Sequence, residues 1–194
     1  MQKNTNWFEI KVYDELDSCL KEKMEELNKN SSYFQKKKKT LEEKKEHFDK
    51  YCSESDIVKW IFAFENEDII GRAVIFKREI QFQDQKITLG GIGKVKVRND
   101  KRRKGVATEL LKRTKKELKY LNCDIAHLRT NISFLIPFYN RFGFIVLDRP
   151  YTYLGQSGKR YFSEDGMIVP VNSTKLFQAI LKDKEPLDIG IGNW

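Results

Sequence analysis

The chain has 194 residues, enough for one domain with a full hydrophobic core and few for two. Its hydrophobic content of 40% and aromatic content of 12% exclude disorder from end to end. The net charge of +9, with a pI near 9.3, is compatible with a nucleic acid, an anionic membrane surface or a phosphorylated ligand, and charge alone does not choose among them.

The N-terminal part, residues 7–50, predicts one strand followed by two helices. Residues 7–12 alternate bulky apolar and polar side chains, which is typical of a half-buried strand. From residue 16 to residue 49 the apolar period is helical, with an interruption at residues 28–32. The Lys-rich run 36–50 mixes both signs of charge, as a solvated helix face does, and a partner-binding patch is the alternative.

Residues 57–98 predict an antiparallel meander. Its segments 57–64, 69–76, 79–82 and 87–97 are rich in β-branched and aromatic residues, and Asp84-Gln85 supplies a turn. A helix follows, marked by an apolar stripe of Val106, Leu110, Leu111, Thr114 and Leu118.

The C-terminal part returns to extended structure. Residues 125–130 predict a strand, 133–141 a short helix, and 144–147 and 167–171 two further strands. We find no internal repeat and no Pro-rich linker. The whole chain, residues 1–194, is therefore predicted to form a single domain, with segments 145–194 as C-terminal strands and tail.

Three widely spaced cysteines, Cys19, Cys52 and Cys123, predict neither a disulfide framework nor a metal site. The first residues lack an apolar signal core, and no stretch approaches the roughly 20 apolar residues of a membrane span. We therefore expect a cytoplasmic protein with no metal and no membrane association.

Residues 95–108 predict a phosphate-binding turn, because they read as a strand, a basic loop, one glycine and a helix. A helix start presents unpaired N–H groups, and Gly105 lets the backbone approach an oxygen that a Cβ would obstruct. Arg102, Arg103 and Lys104 add positive charge where a pyrophosphate or an adenosine phosphate would lie.

A second motif lies one strand further on, in residues 131–144. Arg102-x-x-Gly105-x-Ala107 after a V-x-V strand, followed by Phe138-Tyr139-x-x-Phe142-Gly143-Phe144, resembles the acetyl-CoA-binding motifs of the GNAT superfamily. The resemblance implies an α/β (α+β) GNAT fold: a mixed, mostly antiparallel sheet of about six to seven strands, with helices on both faces and a splay at the cofactor site.

The same resemblance implies an N-acetyltransferase that uses acetyl-CoA, with its acetyl-CoA-binding core in residues 95–144. Splayed strands leave backbone groups to which the pantetheine arm can bond, and an N–H near Val95 can stabilise an oxyanion. Tyr139 takes the role of the general acid that protonates the leaving thiolate. The residues assigned to the cofactor are Val95, Lys96, Val97, Arg102, Arg103, Lys104, Gly105, Val106, Ala107, Thr108 and Asn131.

The C-terminal part resembles the aminoglycoside 2'-N-acetyltransferase family in Tyr151-Thr-Tyr-Leu-Gly, in residues 163–170 and in the final tryptophan. This resemblance implies that Glu164, Asp165 and Trp194 contact a polyamine sugar and that Thr130 lies in the substrate cleft. It implies a small-molecule primary amine as substrate, with an aminoglycoside as the specific prediction.

One departure from that family concerns the acceptor site. Before V-x-V the family carries an acidic residue and a glycine, whereas this chain has Gly93 and Lys94. A lysine repels a cation, so a peptide or protein amine, or a small amine with an anionic group that Lys94 could pair, is the alternative substrate. The general base stays open among Glu65, Glu164, Asp165, Asp188 and the terminal carboxylate.

Two functions other than catalysis are also compatible with the sequence. The basic excess could serve a nucleic-acid-binding module, although the Lys-rich run is interleaved with acids and no Gly-aromatic RNA signature is present. The motifs also fit a non-catalytic acyl-CoA sensor, because they indicate acyl-CoA binding more directly than they indicate catalysis. A homodimer is a family expectation.

Overall fold

The computed structural model describes residues 7–31, 40–51, 56–130 and 133–194. Its strands are β1 (Glu9–Tyr13), β2 (Ile57–Glu65), β3 (Asp68–Phe82), β4 (Gln85–Val97), β5 (Ile125–Arg129), β6 (Ile145–Val146), β7 (Tyr151–Leu154), β8 (Arg160–Ser163), β9 (Gly166–Pro170) and β10 (Leu187–Ile191). Its α-helices are α1 (Ser18–Lys29), α2 (Leu41–Lys50), α3 (Val106–Tyr120), α4 (Ile136–Asn140) and α5 (Thr174–Lys182).

The main sheet has seven strands in the order β1-β2-β3-β4-β5-β9-β6. Its neighbours are antiparallel except β4 and β5, which run parallel. Apolar residues on both faces are covered, by α3 on one side and by α1 and α5 on the other. The predicted fold class, with its six to seven strands and helices on both faces, is confirmed.

Strands β4 and β5 part where the prediction placed the splay. They pair from Leu89 with Ile125 to Ile92 with Leu128, and β4 then continues to Val97. Lys94 has a left-handed backbone, with φ of +50°, at a register shift between β3 and β4. This irregularity bends β4 away from β5, so the described β5 side of residues 93–97 has no strand partner.

The predicted break between residues 76 and 79 is wrong, because β3 is continuous. Lys77 and Arg78 interrupt the apolar pattern, but Arg78 stays within the sheet because its Nη1 donates to the carbonyls of Ile189 (2.8 Å) and Gly192 (2.9 Å). Carbonyl groups from a distant segment of the chain thus accept hydrogen bonds from the guanidinium of Arg78.

A second sheet was not predicted. It has three strands in the order β10-β7-β8, with β10 parallel to β7, and α5 precedes β10. Trp194 joins it to the main sheet, because its indole stacks on Phe76 at a centroid distance of 5.6 Å and donates to the carbonyl of His127. Within the described ranges, no helix is both long and apolar enough to cross a membrane.

Candidate active site

A cleft of about 610 Å³ opens at the splay between β4, the N-terminal end of α3, and α4. Most of the residues assigned to the cofactor line it, namely Val95, Lys96, Val97, Arg102, Arg103, Gly105, Val106, Ala107 and Thr108. The hydroxyl of Ser31 is buried at this cleft and has no hydrogen-bond partner among the described residues. An unpaired hydroxyl, an unpaired strand edge and a helix start are groups that a ligand rich in phosphate and amide can bind.

Gly105 is the N-cap of α3 and has a left-handed backbone, with φ of +86°. A Cβ built there meets nothing within 4 Å, and Gly105 is among the residues that line the cleft. α3 begins at the next residue, and its 15 residues give the full dipole of a long helix. The cradle fits an anionic group at the cleft floor.

The basic loop is partly tied to the protein itself. Lys101 donates to Glu65 at 2.6 Å, and Arg102 donates through Nη2 to the carbonyl of Ser31 at 2.9 Å. These contacts fix the loop that shapes the cleft. Lys104 is exposed and does not line the cleft, and Asn131 lies outside the described residues.

Tyr139 lies at the junction of this cleft with a second cavity of about 390 Å³ and lines both. Its side chain is buried, and burial raises the pKa of the phenol to about 12. No described residue hydrogen-bonds its hydroxyl. The phenol is therefore neutral and can donate a proton to a group that enters at the junction.

The second cavity brings together residues that the sequence analysis assigned to the acceptor with others that it missed. Lys94, Thr130 and Trp194, which the sequence assigned to the acceptor, line it, and so do Tyr51 and Arg129, which the sequence did not single out. No Asp or Glu side chain is among its lining residues in the described part of the chain.

Arg129 occupies this wall at the end of β5. Its Nε donates to Asp165 at 2.8 Å, and its Nη1 donates to the Tyr51 hydroxyl. Burial lowers the pKa of the guanidinium, but the bond to Asp165 and the neighbouring phenols outweigh burial and raise it above the usual range. Arg129 is a fixed positive group at the cavity.

The two predicted acidic contacts do not line either cavity. Glu164 is exposed, and Asp165 lies behind Arg129, where it also accepts from the Tyr151 hydroxyl at 3.0 Å. Asp188 pairs with Arg160 at 2.7 Å on the second sheet, and Glu65 pairs with Lys101 beside the first cleft. None of these four carboxylates lines the second cavity, so any effect that they have on it passes through the residues that they bind.

A sequence signal for Arg129 existed but was not specific. A charged residue at the end of a buried strand is a common place for a binding group, and Arg129 ends the run Ile125–Arg129. Tyr51 directly follows α2 and is held by a bridge to Asn193 near the end of the chain, which no local pattern indicates.

The sequence matches the family model of the Acetyltransferase (GNAT) domain over residues 15–147. No curated protein matches it. Among solved structures, the ribosomal-protein-S18-alanine N-acetyltransferase from Escherichia coli is 15% identical with a TM-score of 0.54, covering 86% of this chain and 96% of that chain.

Two further structures share the fold. Naa20 from Chaetomium thermophilum, in complex with a bisubstrate analogue, is 16% identical with a TM-score of 0.56, covering 94% of this chain and 96% of that chain. The AtaT toxin, bound to the C-terminus of the antitoxin AtaR and to acetyl-CoA, is 11% identical with a TM-score of 0.53, covering 89% and 99%. The chain belongs to the GNAT acetyltransferase family and is an acyl-CoA-dependent N-acetyltransferase.

Proposed function

We propose that the protein transfers acetyl from acetyl-CoA to a primary amine of a small molecule, with Tyr139 as general acid. The observation that carries the proposal is the position of Tyr139, which lines both the large cleft beside the basic loop and the smaller cavity beyond it. A donor in the first and an amine in the second would meet at this phenol.

Acetyl-CoA, as the donor, supplies an activated acetyl thioester. The lining of the first cleft supports its binding: Gly105 and the start of α3 suit the pyrophosphate, and the unpaired edge of residues 93–97 suits the amide-rich arm. The backbone N–H of Val95 is near the junction, where it can bond a developing oxyanion. We assign Lys104 and Asn131 to the cofactor on the motif alone.

In the proposed reaction at Tyr139, one C–N bond forms and one C–S bond breaks. The amine nitrogen attacks the thioester carbonyl carbon, the C–S bond breaks, and the amine releases a proton to solvent. Tyr139 gives its phenolic proton to the departing thiolate and recovers one from solvent afterwards. A cavity of about 390 Å³ suits a small acceptor better than an extended macromolecule.

An aminoglycoside is the narrower candidate for the acceptor, proposed from the C-terminal resemblance with Glu164, Asp165, Trp194 and Thr130 as contacts. Trp194 and Thr130 line the cavity, which supports it, but the charged side chains in the described lining are Lys94 and Arg129. The fixed positive charge of Arg129 in this lining repels a polycation. The lining therefore favours amines with fewer positive charges.

Release of free thiol from acetyl-CoA tests the proposal across a panel of amines. The panel contains a kanamycin-type aminoglycoside, amino acids, amino acid amides, simple alkylamines and short peptides. We expect turnover with at least one small amine and weak turnover with the aminoglycoside. Tight acetyl-CoA binding by calorimetry, with thiol release no faster than in the absence of amine, would refute the catalytic proposal.

A further inference from the structure

Arg129 lines the second cavity, and two of the three nitrogens of its guanidinium are bound to neighbouring side chains. Nε is bound to Asp165 and Nη1 to Tyr51, and no described residue accepts a hydrogen bond from Nη2. The side chain is 27% exposed, so the group is positioned by the protein while part of it stays accessible. A guanidinium held in this way is ready to bind an anionic oxygen without further ordering.

The support behind Arg129 extends over several elements. Asp165 precedes β9 and also accepts from Tyr151, whose hydroxyl in turn accepts from the buried side chain of Asn193 at 2.8 Å. Tyr51 follows α2, and the guanidinium carbon of Arg129 lies 5.6 Å from the centroid of its ring. Contacts on both sides thus fix the orientation of Arg129.

This support comes largely from outside the matched family domain. The family model ends at residue 147, whereas Asp165, Tyr151, Asn193 and Trp194 all follow it. Arg129 and Tyr51 lie inside the matched range, so the C-terminal part of the chain supplies support behind Arg129, together with Trp194 in the cavity lining.

We propose that Arg129 Nη2 binds a carboxylate of the acceptor, so that the substrate class is a small primary amine that carries a carboxylate. The inference rests on the proposed function and narrows it. Asp165 already balances part of the charge of Arg129, so a singly charged carboxylate suits the site better than a doubly charged phosphate.

A purely structural role for Arg129, tying β5 to Asp165 and to Tyr51, is the competing explanation. The two roles differ in one respect: a structural residue affects all substrates alike, whereas a carboxylate anchor discriminates between an acid and its neutral amide. The ratio of kcat/KM for an amino acid to that for its amide, with each value expressed per neutral amine because the two amines differ in pKa, measures this difference. It is independent of the fraction of enzyme that is correctly folded.

The experiment measures that ratio for matched pairs, such as alanine with alaninamide and phenylalanine with phenylalaninamide. We expect wild type to favour the acids by on the order of ten- to a hundredfold, the range for a hydrogen bond to a charged group. Arg129→Gln should bring the ratio close to one, and Arg129→Lys should retain part of it. Arg160→Gln, which removes an exposed guanidinium paired with Asp188 on the second sheet, should leave the ratio unchanged.

The outcomes separate the two proposals. Turnover of amides or alkylamines in preference to the acids, or an unchanged ratio in Arg129→Gln, would overturn the carboxylate anchor and leave the acetyltransferase function intact. A preference for phosphoethanolamine over the carboxylates would overturn the choice of carboxylate. Absence of turnover with every amine would overturn both the anchor and the proposed function.

Discussion

Burial keeps the phenol of Tyr139 protonated, as a general acid must be, but it also makes the phenol a weaker acid. A pKa of about 12 keeps the phenol protonated at every pH at which the protein would be assayed. The same shift makes the phenol a weaker acid, because proton transfer to a thiolate of ordinary pKa is uphill. Its contribution to the rate should therefore lie at the lower end of the range for general acids.

Substitution Tyr139→Phe tests this role at the residue scale. We expect kcat to fall on the order of 100-fold, while the Kd of acetyl-CoA stays within about twofold, because the ring is kept and only the proton donor is lost. Tyr120→Phe is the matched control, since Tyr120 is exposed on α3 and should leave both values unchanged. An unaltered kcat in Tyr139→Phe would exclude the phenol as the acid.

The strand, loop and helix around Gly105 form one side of the cofactor cleft. A comparison with a second glycine separates the effect of a substitution on stability from its effect on cofactor binding. Gly105 and Gly158 have nearly the same backbone, with φ of +86° and +83°, and a Cβ meets nothing within 4 Å at either. An alanine at either position costs the same left-handed strain, about 1 kcal/mol in the free energy of unfolding. Gly158 lies in the turn between β7 and β8, away from the cofactor cleft.

We therefore expect Gly105→Ala and Gly158→Ala to lose similar stability in urea unfolding but to differ in cofactor affinity. Gly105 lines the cleft and Gly158 does not, so the KM for acetyl-CoA should rise by about tenfold or more in Gly105→Ala. Gly158→Ala should leave that KM unchanged. Equal KM values in the two variants would mean that the backbone at Gly105 does not approach the cofactor.

The elements that the sequence predicted are those whose signals are local. The β4 strand, the glycine turn and α3 follow one another directly between Gln85 and Tyr120, and each carries its own pattern. The acceptor wall is different, because Arg129 depends on Asp165, 36 residues away, and on Tyr51, 78 residues away. The second sheet also depends on a long-range contact, because β10 pairs in parallel with β7, with Leu187 opposite Tyr151.

At the scale of the whole molecule, the main sheet and the C-terminal part meet around one buried histidine. His127 on β5 is fully buried, its ring packs edge-on against Tyr151 and Trp194, and neither ring nitrogen has a hydrogen-bond partner among the described residues. Burial lowers its pKa from 6.5 to about 3, with Arg78 and Arg129 acting in the same direction and Asp165 against them. The folded protein therefore holds this imidazole neutral.

This shift makes the assembly sensitive to acid, with a sign that follows from linkage. Well above pH 6.5 the imidazole is neutral in both states and adds no pH dependence. As the pH falls from 6.5 towards about 3, the unfolded chain binds a proton that the folded protein rejects, so stability is lost. Each pH unit costs about 1.4 kcal/mol, and the loss from this group amounts to about 2 kcal/mol at pH 5.

His127→Phe should remove this part of the acid sensitivity, because a phenyl ring keeps the aromatic packing and cannot be protonated. Urea unfolding at pH 7.5 and at pH 5 gives the loss of stability for each protein, and the carboxylates common to both proteins cancel in the comparison. We expect the loss between these pH values to be smaller in His127→Phe than in wild type by about 2 kcal/mol, whatever the absolute stability of the variant. An equal loss in both proteins would mean that His127 binds a proton in the folded state, and that the junction between the two sheets admits a charge.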